Sequence, residues 1–185
     1  MIHLVIGGAR SGKSVHAENL ASELSQSLGK QSPNKQSTGK KLIYLATATI
    51  YDDEMQQRID LHKQRRDQDW SLVEEPLQLA SCLQKLSGTN AVVLIDCMTL
   101  WLSNWICSEN FAEFGSQRQA FITALTTFEG DCVIVSNEVG SGIVPMGELS
   151  RSFVDHAGWL NQAIAKVSDK ATLVVAGLPL TLKGG

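Results

Sequence analysis

Short, nearly continuous apolar runs alternate along the chain with segments of helical periodicity. The runs are Ile2–Ile6, Leu42–Ala46, Ala91–Ile95, Cys132–Val135 and Leu173–Ala176. Runs of this kind, without in/out alternation, are typical of strands covered on both faces. The segments between them repeat their apolar residues at about every 3.6 positions and comprise Lys13–Ser27, Asp53–Arg66, Leu77–Leu86, Gln117–Phe128 and Glu148–Val167. This alternation predicts an α/β fold with a mostly parallel sheet between helices.

The length of 185 residues predicts one domain, residues 1–185. One segment, Ser25–Lys41, interrupts the alternation. It is rich in Ser, Gln, Lys and Gly, contains Pro33, and carries four lysines with no acidic residue. This composition predicts an exposed flexible insertion at about residues 25–41. A contact between its lysines and an anionic ligand is the alternative.

Composition and charge limit which partners and which cellular compartment are expected. Sixteen basic and nineteen acidic residues give a net charge of −3, whereas a broad nucleic-acid-binding surface usually shows a basic excess. The four cysteines are widely separated, without a CxxC pair, so neither a structural zinc site nor a disulfide framework is predicted. No apolar run approaches the ~18 residues of a membrane span, and the N-terminus lacks a signal-peptide pattern. We expect a cytoplasmic protein without a nucleic-acid or membrane partner.

The first strand runs into a glycine-rich segment that fits the pattern G-x-x-x-x-G-K-[ST] and opens a helix. Its residues are Gly7, Gly8, Ala9, Arg10, Ser11, Gly12, Lys13 and Ser14. Glycines let the backbone curl so that successive N–H groups point at phosphate oxygens, and the helix adds its positive end. Lys13 is expected to reach the β- and γ-phosphates, and Ser14 to ligate Mg²⁺. A glycine-rich turn without a ligand is the alternative to this nucleoside triphosphate site.

A second ligand for Mg²⁺ is predicted at the end of another strand. Asp96 closes the apolar run that starts at Ala91, and a carboxylate at such a position is costly without a partner. The alternative role for Asp96 is to cap the helix predicted at Thr99–Ile106. A GTPase switch is not predicted, because the nearest guanine-reading pattern, Asn34–Ser37, lacks its acid and Asp155–Gly158 matches D-x-x-G only inside a helix.

A histidine in the charged helical segment is a candidate nucleophile. Met55, Ile59 and His62 share one stripe of that helix, where a lone histidine is usually structural. His62 is, however, followed by Lys63, Arg65 and Arg66, a cluster suited to a triphosphate. A largely neutral imidazole can attack phosphorus. The residues alone leave both roles open.

Taken together, the motifs resemble those of one enzyme family. The matching blocks, in order, are GGARSGKS (Gly7–Ser14), YLATAT (Tyr44–Thr49), DDEM (Asp52–Met55), RIDLHKQRR (Arg58–Arg66), DCMTLWLSN (Asp96–Asn104), SNEVGSGIVP (Ser136–Pro145), LNQAIA (Leu160–Ala165) and LVVAGLPLTLK (Leu173–Lys183). In this order the chain resembles the bifunctional adenosylcobinamide kinase / adenosylcobinamide-phosphate guanylyltransferase family of cobalamin biosynthesis. The resemblance covers nearly the whole chain apart from the segment at residues 25–41.

The resemblance implies a P-loop fold of the RecA-like type and a two-step reaction. Adenosylcobinamide is phosphorylated with ATP or GTP, and GMP from GTP is then transferred to adenosylcobinamide phosphate, releasing pyrophosphate. The implied catalytic residues are Lys13 and His62, the latter as a guanylylated intermediate. The implied nucleotide contacts are Gly7–Ser14, Ala46, Thr47, Ala48, Lys63, Gln64, Arg65, Arg66, Glu74 and Asp96.

Members of this family also assemble as homotrimers. Trp101 and Trp105 look exposed from the sequence and could serve such an interface or belong to the core. One departure from the family pattern is Leu61, where members usually carry a histidine adjacent to the nucleophile. A single-function P-loop small-molecule kinase and a non-catalytic nucleotide-binding module are the alternative functions.

Overall fold

A computed structural model describes residues 1–26, 39–49, 70–143 and 146–184. Its strands are β1 (Ile2–Gly7), β2 (Lys41–Ala46), β3 (Trp70–Glu74), β4 (Ala91–Asp96), β5 (Asp131–Asn137), β6 (Lys170–Val175) and β7 (Leu178–Lys183). Its helices are α1 (Lys13–Gln26), α2 (Leu79–Leu86), α3 (Met98–Ile106), α4 (Phe114–Thr126) and α5 (Glu148–Val167), with a 3₁₀ turn at Phe111–Glu113. The predicted helix Asp53–Arg66 lies outside the described residues.

These strands form one seven-stranded sheet in the order β3-β2-β4-β5-β1-β6-β7. Every neighbouring pair is parallel except β6 and β7, which are antiparallel. The predicted α/β class is therefore confirmed. β5 lies between the strand that leads into the phosphate loop and the strand that ends in Asp96, the P-loop arrangement that the resemblance implies.

The two strands at the sheet edges were not predicted. β3 has the sequence WSLVE and β7 the sequence LPLTLK, and neither contains a continuous apolar run. Edge strands are partly open to solvent, so they do not need the all-apolar pattern of the central strands. Pro179 within β7 also argues for an edge position, since proline cannot donate to a ladder on both sides.

The core has two layers, one on each face of the sheet. On one face, α1 packs its small residues Ala17 and Ala21 against Val5, Val92 and Val133. On the other face, α2–α5 contribute the larger cluster, which includes Leu79, Leu83, Met98, Phe121, Leu160 and Ile164. The two layers hold the sheet rigid, so that the ends of its strands are fixed relative to one another.

The tryptophans of α3 belong to this core. Trp101 and Trp105 are 1% and 2% exposed, and they pack against Phe114 at ring-centroid distances of 5.3 Å and 6.4 Å. The Trp101 indole N–H also donates to the Leu77 carbonyl at 2.8 Å. Of the two roles that the sequence left open, interface or core, the structure shows the core, because Phe114 and Phe121 of α4 pack against these rings. Neither ring is available to a partner subunit.

The two ends of the predicted insertion lie next to each other. Ser25 closes the last turn of α1, and the backbone N–H of Lys40 donates to its carbonyl at 3.2 Å just before β2 begins. Residues 27–38 lie outside the described part, so the flexible insertion stays a prediction. Within the described residues, no helix combines the length and apolar character needed to cross a membrane.

Candidate active site

The phosphate loop joins β1 to α1 at the carboxyl edge of the sheet, and two of its glycines are required there. A Cβ on Gly7 would lie 2.5 Å from the Ser11 hydroxyl oxygen and 2.6 Å from the Val174 carbonyl oxygen. Gly12 has a φ of +93°, a conformation that disfavours other residues. The loop therefore approaches β6 closely and turns tightly into α1, as the sequence motif predicts.

Lys13 lies across this loop. Its ammonium donates to the Gly8 carbonyl at 3.0 Å, and the side chain is 9% exposed. Burial lowers the pKa of Lys13, while the neighbouring Cys97 and Asp96 act in the opposite direction. Within the described residues the ammonium donates to this neutral carbonyl and forms no ion pair, and a charged phosphate oxygen would be a stronger acceptor for it.

Two serines complete the loop. Ser14 is half-buried in the first turn of α1. The Ser11 hydroxyl oxygen is buried and has no hydrogen-bond partner among the described residues. Because an unsatisfied buried hydroxyl is costly, this atom points to a polar ligand that the loop is built to hold.

Asp96 lies at the same edge, at the end of β4. It is level with Ala46 of β2 and Val135 of β5 in the sheet register. The hydroxyl of Tyr44 donates to Asp96 Oδ2 at 2.7 Å, which fixes one carboxylate oxygen. The helix-capping alternative is wrong, because α3 begins at Met98 with Cys97 as its N-cap residue.

Thr47 connects the ends of β2 and β4. Its hydroxyl accepts from the Cys97 N–H at 2.9 Å and donates to the Cys97 carbonyl at 2.7 Å. Its backbone N–H donates to the Asp96 carbonyl at 3.1 Å, and its carbonyl accepts from the Asn104 amide at 2.7 Å. The Thr47 side chain is fully buried, so its role is to hold the site together. Ala46 and Ala48 on either side of it are half-buried.

Glu74 lies further along the same edge. It is the last residue of β3 and is level with Ala46 in the register. The structure thus brings the phosphate loop, residues 46–48, Glu74 and Asp96 to one edge of the sheet. His62, Lys63, Gln64, Arg65 and Arg66 lie outside the described residues, and Thr49, the last described residue before them, follows directly from β2 at this edge.

Sequence reasoning missed the residues that support the site through hydrogen bonds. Tyr44 reads as one more apolar strand residue, and Asn104 as one polar residue in an apolar helix. A further pair is Ser136 and Asn161, joined at 2.6 Å beneath the end of β5. Buried polar side chains in otherwise apolar elements were the available signal, since such groups need partners.

Oxygen donors at this edge fit Mg²⁺. The ion prefers carboxylate and hydroxyl oxygens together with nucleotide phosphates, and Asp96 and Ser14 offer these two donor types. The Tyr44 hydroxyl donates to Oδ2 of Asp96, so Oδ1 is the Asp96 oxygen that would be assigned to the ion. Among the described residues there is no group of three or more His, Cys, Asp or Glu side chains that could hold a metal.

Comparison of the sequence with known proteins agrees with the family that the sequence motifs indicate. The family model described as cobinamide kinase / cobinamide phosphate guanyltransferase matches residues 3–182. The bifunctional adenosylcobalamin biosynthesis protein CobP of Pseudomonas aeruginosa is 44% identical over 184 residues, covering 100% of this chain and 98% of that protein. CobU of Escherichia coli, with the same description, is 35% identical over 196 residues, covering 99% of this chain and 100% of that protein.

A solved structure of a KaiC-like protein from Pyrococcus horikoshii is also similar, with 12% identity and a TM-score of 0.48 over 93% of this chain and 69% of that one. The family assignment does not depend on it. The full-length family match and the two relatives agree with the motif order and with the phosphate loop beside Asp96. This chain belongs to the cobinamide kinase / cobinamide phosphate guanyltransferase family.

Proposed function

We propose that this protein is the bifunctional enzyme that phosphorylates adenosylcobinamide with ATP or GTP and then transfers GMP from GTP to the new phosphate. The products of the second step are adenosylcobinamide-GDP and pyrophosphate. The observation that carries this proposal is the phosphate loop, with Lys13 folded across it, beside Asp96 in a chain whose family match spans residues 3–182.

The kinase step relies on positioning and charge. The amides of Gly7–Ser14 and the N-terminus of α1 bind the triphosphate, and Lys13 exchanges the Gly8 carbonyl for a β- or γ-phosphate oxygen. Ser14 and Asp96 would hold Mg²⁺, which neutralises charge on the phosphates. The substrate hydroxyl oxygen then bonds to the γ-phosphorus, the bond from that phosphorus to the bridging oxygen breaks, and the hydroxyl proton is released.

The guanylyl transfer uses covalent catalysis by His62. The imidazole bonds to the α-phosphorus of GTP and pyrophosphate leaves. A phosphate oxygen of adenosylcobinamide phosphate then bonds to the same phosphorus and releases the histidine. Lys63, Gln64, Arg65, Arg66 and Glu74 are proposed to bind the nucleotide during this step. Retention of His62 next to Leu61 favours His62 as the nucleophile.

Further features of the proposal rest on the length and composition of the chain and, for the homotrimer, on the family resemblance. The protein acts in the cytoplasm as a homotrimer of single-domain subunits, and neither nucleic acid nor a membrane takes part.

A single-function kinase would phosphorylate the substrate without forming a protein–nucleotide adduct. A non-catalytic module would bind triphosphate tightly without corrinoid-dependent turnover.

The test is labelling of the purified protein with α-labelled and, separately, γ-labelled GTP plus Mg²⁺ in the absence of corrinoid. We expect label from the α position alone, in an adduct that is labile to acid and stable to alkali, because a phosphoramidate has these properties. The His62→Ala variant is expected to lose the label while its phosphorylation of adenosylcobinamide stays within about tenfold of the unsubstituted protein.

Other outcomes would select other functions. Absence of label in protein that still binds GTP, with phosphorylation retained, would indicate the single-function kinase. Equal loss of both activities in a folded His62→Ala variant would contradict the assignment of His62 to guanylyl transfer and not to phosphorylation. His16, a half-buried histidine of α1, provides the matched control, since His16→Ala should keep the label.

A further inference from the structure

The strand β5 ends between the two parts of the candidate site. It pairs with β1 on one side and with β4 on the other, so its last residue, Asn137, lies between the strand that leads into the phosphate loop and the strand that ends in Asp96. Asn137 is level with Gly7 in the register, and the N–H of the next residue, Glu138, donates to the Gly7 carbonyl at 3.0 Å. The end of β5 is therefore held against the first residue of the phosphate loop.

The Asn137 side chain points to the face of the sheet that carries α1. Val135 of β5 and Leu94 of β4 belong to the core layer formed with α1. Because side chains alternate along a strand, Asn137 and Asp96, each two positions further on, point to the same face. Lys13 begins α1 on this face, and it is close enough to Asp96 for the carboxylate to oppose the lowering of the Lys13 pKa by burial. The Asn137 amide thus shares the side of the sheet on which the γ-phosphate would be bound.

Hydrogen bonds to two helices fix this residue. Asn137 Nδ2 donates to the Thr99 hydroxyl oxygen at 2.7 Å, and Thr99 is 5% exposed in the first turn of α3. The Thr99 hydroxyl oxygen is also 3.2 Å from the Cys97 sulfur. From α5, the Asn161 amide donates to the Asn137 backbone carbonyl at 3.1 Å. Because backbone and side chain are held by separate elements, the remaining atom of the amide, Oδ1, has a fixed place at the site.

This oxygen is available to a ligand. Within the described residues, Oδ1 has no hydrogen-bond partner, and it is not among the polar atoms that are buried without one, so it is open to solvent. An amide oxygen accepts hydrogen bonds and cannot donate them. A phosphate oxygen, itself an acceptor, does not suit it, whereas a hydroxyl group does. The phosphates have the loop amides and Lys13, and the group of the kinase step that can donate to Oδ1 is the substrate hydroxyl.

We propose that Asn137 is a catalytic residue of the kinase step, in which its Oδ1 accepts a hydrogen bond from the hydroxyl of adenosylcobinamide. This bond directs a lone pair of the hydroxyl oxygen at the γ-phosphorus, in line with the bond that breaks. The amide takes no proton itself, and the hydroxyl proton is released to water as the new O–P bond forms. Thr99 is a positioning residue that holds the amide. The inference rests on the proposed function and adds a residue that orients the second substrate.

The test is the substitution Asn137→Ala, which removes the acceptor and keeps the phosphate loop. We expect kcat for phosphorylation of adenosylcobinamide to fall about a hundredfold, as is typical when a reacting group is misplaced. The dissociation constant for GTP should change less than about twofold. Labelling of the protein by α-labelled GTP should continue, because no substrate hydroxyl takes part in it. A purely structural role of Asn137 would instead reduce GTP binding and labelling together with phosphorylation.

Thr99 offers a matched pair of variants that leave Asn137 in place. Thr99→Val keeps the side-chain shape and removes the hydroxyl that accepts from Nδ2, so we expect kcat for phosphorylation to fall about tenfold, the effect of one lost hydrogen bond. Thr99→Ser keeps the hydroxyl, and its kcat should stay within about twofold of the unsubstituted protein. This pair tests the inference independently of whether Asn137→Ala folds.

The other outcomes count against the inference. An unchanged kcat in Asn137→Ala, or equal kcat values in Thr99→Val and Thr99→Ser, overturns the inference and leaves the proposed function standing. A loss of GTP affinity as large as the loss of kcat in Asn137→Ala would assign Asn137 to the triphosphate instead of the hydroxyl. Absence of adenosylcobinamide phosphorylation by the unsubstituted protein overturns the proposed function, and the inference with it.

Discussion

At the scale of single residues, the site depends on a tyrosine hidden in an apolar strand. Asp96 terminates a buried strand, where a carboxylate needs a polar partner, and the Tyr44 hydroxyl supplies it at 2.7 Å. Tyr44 itself is 5% exposed and its ring contacts Trp70 edge-on, with centroids 6.3 Å apart. Tyr44 is a positioning residue in this arrangement, since it acts through the orientation of Asp96.

We expect Tyr44→Phe to lower kcat/KM of the kinase step about tenfold, the effect of losing one hydrogen bond to a charged group. The ring contact with Trp70 is kept, so the variant should fold. The diagnostic measurement is the Mg²⁺ dependence of the rate, which should move to higher concentration because Asp96 loses its fixed orientation. A normal Mg²⁺ dependence in a slower enzyme would show that Tyr44 has only a structural role.

His3 provides a second effect at this scale, on stability. It lies buried in β1, and its Nε2 is 2.8 Å from the Thr172 hydroxyl oxygen. Burial, together with electrostatic interactions with His16 and Lys170, lowers its pKa from 6.5 to about 4. In the folded protein His3 is therefore neutral over a range in which the unfolded chain binds a proton.

The free energy of unfolding should accordingly fall as the pH decreases from about 6.5 to about 4, and should be insensitive to His3 above this window. The slope from one proton is at most about 1.4 kcal/mol per pH unit. Urea unfolding at several pH values would measure it, and the His3→Gln variant should show a smaller slope in the same window. Equal slopes for both proteins would rule His3 out as the origin.

At the scale of secondary-structure elements, the site depends on how β2 and β4 are joined at their carboxyl ends. Parallel neighbours are linked by ladder hydrogen bonds up to Ala46 and Asp96. Beyond them, Thr47 and Cys97 continue the connection through the threonine hydroxyl, at 2.7 Å and 2.9 Å. This pair keeps the two chain segments together after the strands end, and so fixes the place of Asp96 beside the phosphate loop.

The substitution Thr47→Val keeps the side-chain shape and removes the hydroxyl, leaving the Cys97 N–H and C=O buried without this partner. We expect the free energy of unfolding to decrease by about 2 kcal/mol. Thr123→Val is the control, because the Thr123 hydroxyl bonds to the Gln119 carbonyl at an exposed position of α4, where about 0.5 kcal/mol or less is typical. Similar decreases in the free energy of unfolding of both variants would show that the Thr47–Cys97 hydrogen bonds contribute no more to stability than the bond of an exposed hydroxyl.

At the scale of the whole molecule, separate strands deliver their functional residues to one edge of the sheet. The phosphate loop follows β1, and Asp96 is the last residue of β4. Ala46 ends β2 and Glu74 ends β3 at the same edge. The carboxyl edge is where ligands bind in open α/β sheets, because loops and helix N-termini meet there. Thr49, the last described residue before the segment that carries His62, follows β2 at this edge.

Much of this architecture could be predicted from the sequence. The buried central strands are long apolar runs, and the strand–loop–helix motif at Gly7–Ser14 has a local physical cause in its glycines. Helix Glu148–Val167 was predicted with its observed bounds. The edge strands β3 and β7 could not be predicted in this way, because a half-exposed strand carries no continuous apolar signal.

By itself, the sequence determined the α/β class, the phosphate loop, the acid at the end of β4 and the family, because each depends on neighbouring residues or on motif order. Only the tertiary structure decided what depends on residues far apart in the chain. Tyr44 and Asp96 are 52 positions apart and in contact, and Trp101 is buried because α4 covers it. The phosphate loop likewise meets the β6–β7 turn only in the folded chain, where the Gly177 N–H donates to the Ser11 carbonyl at 2.8 Å, a proximity that no local pattern of the chain encodes.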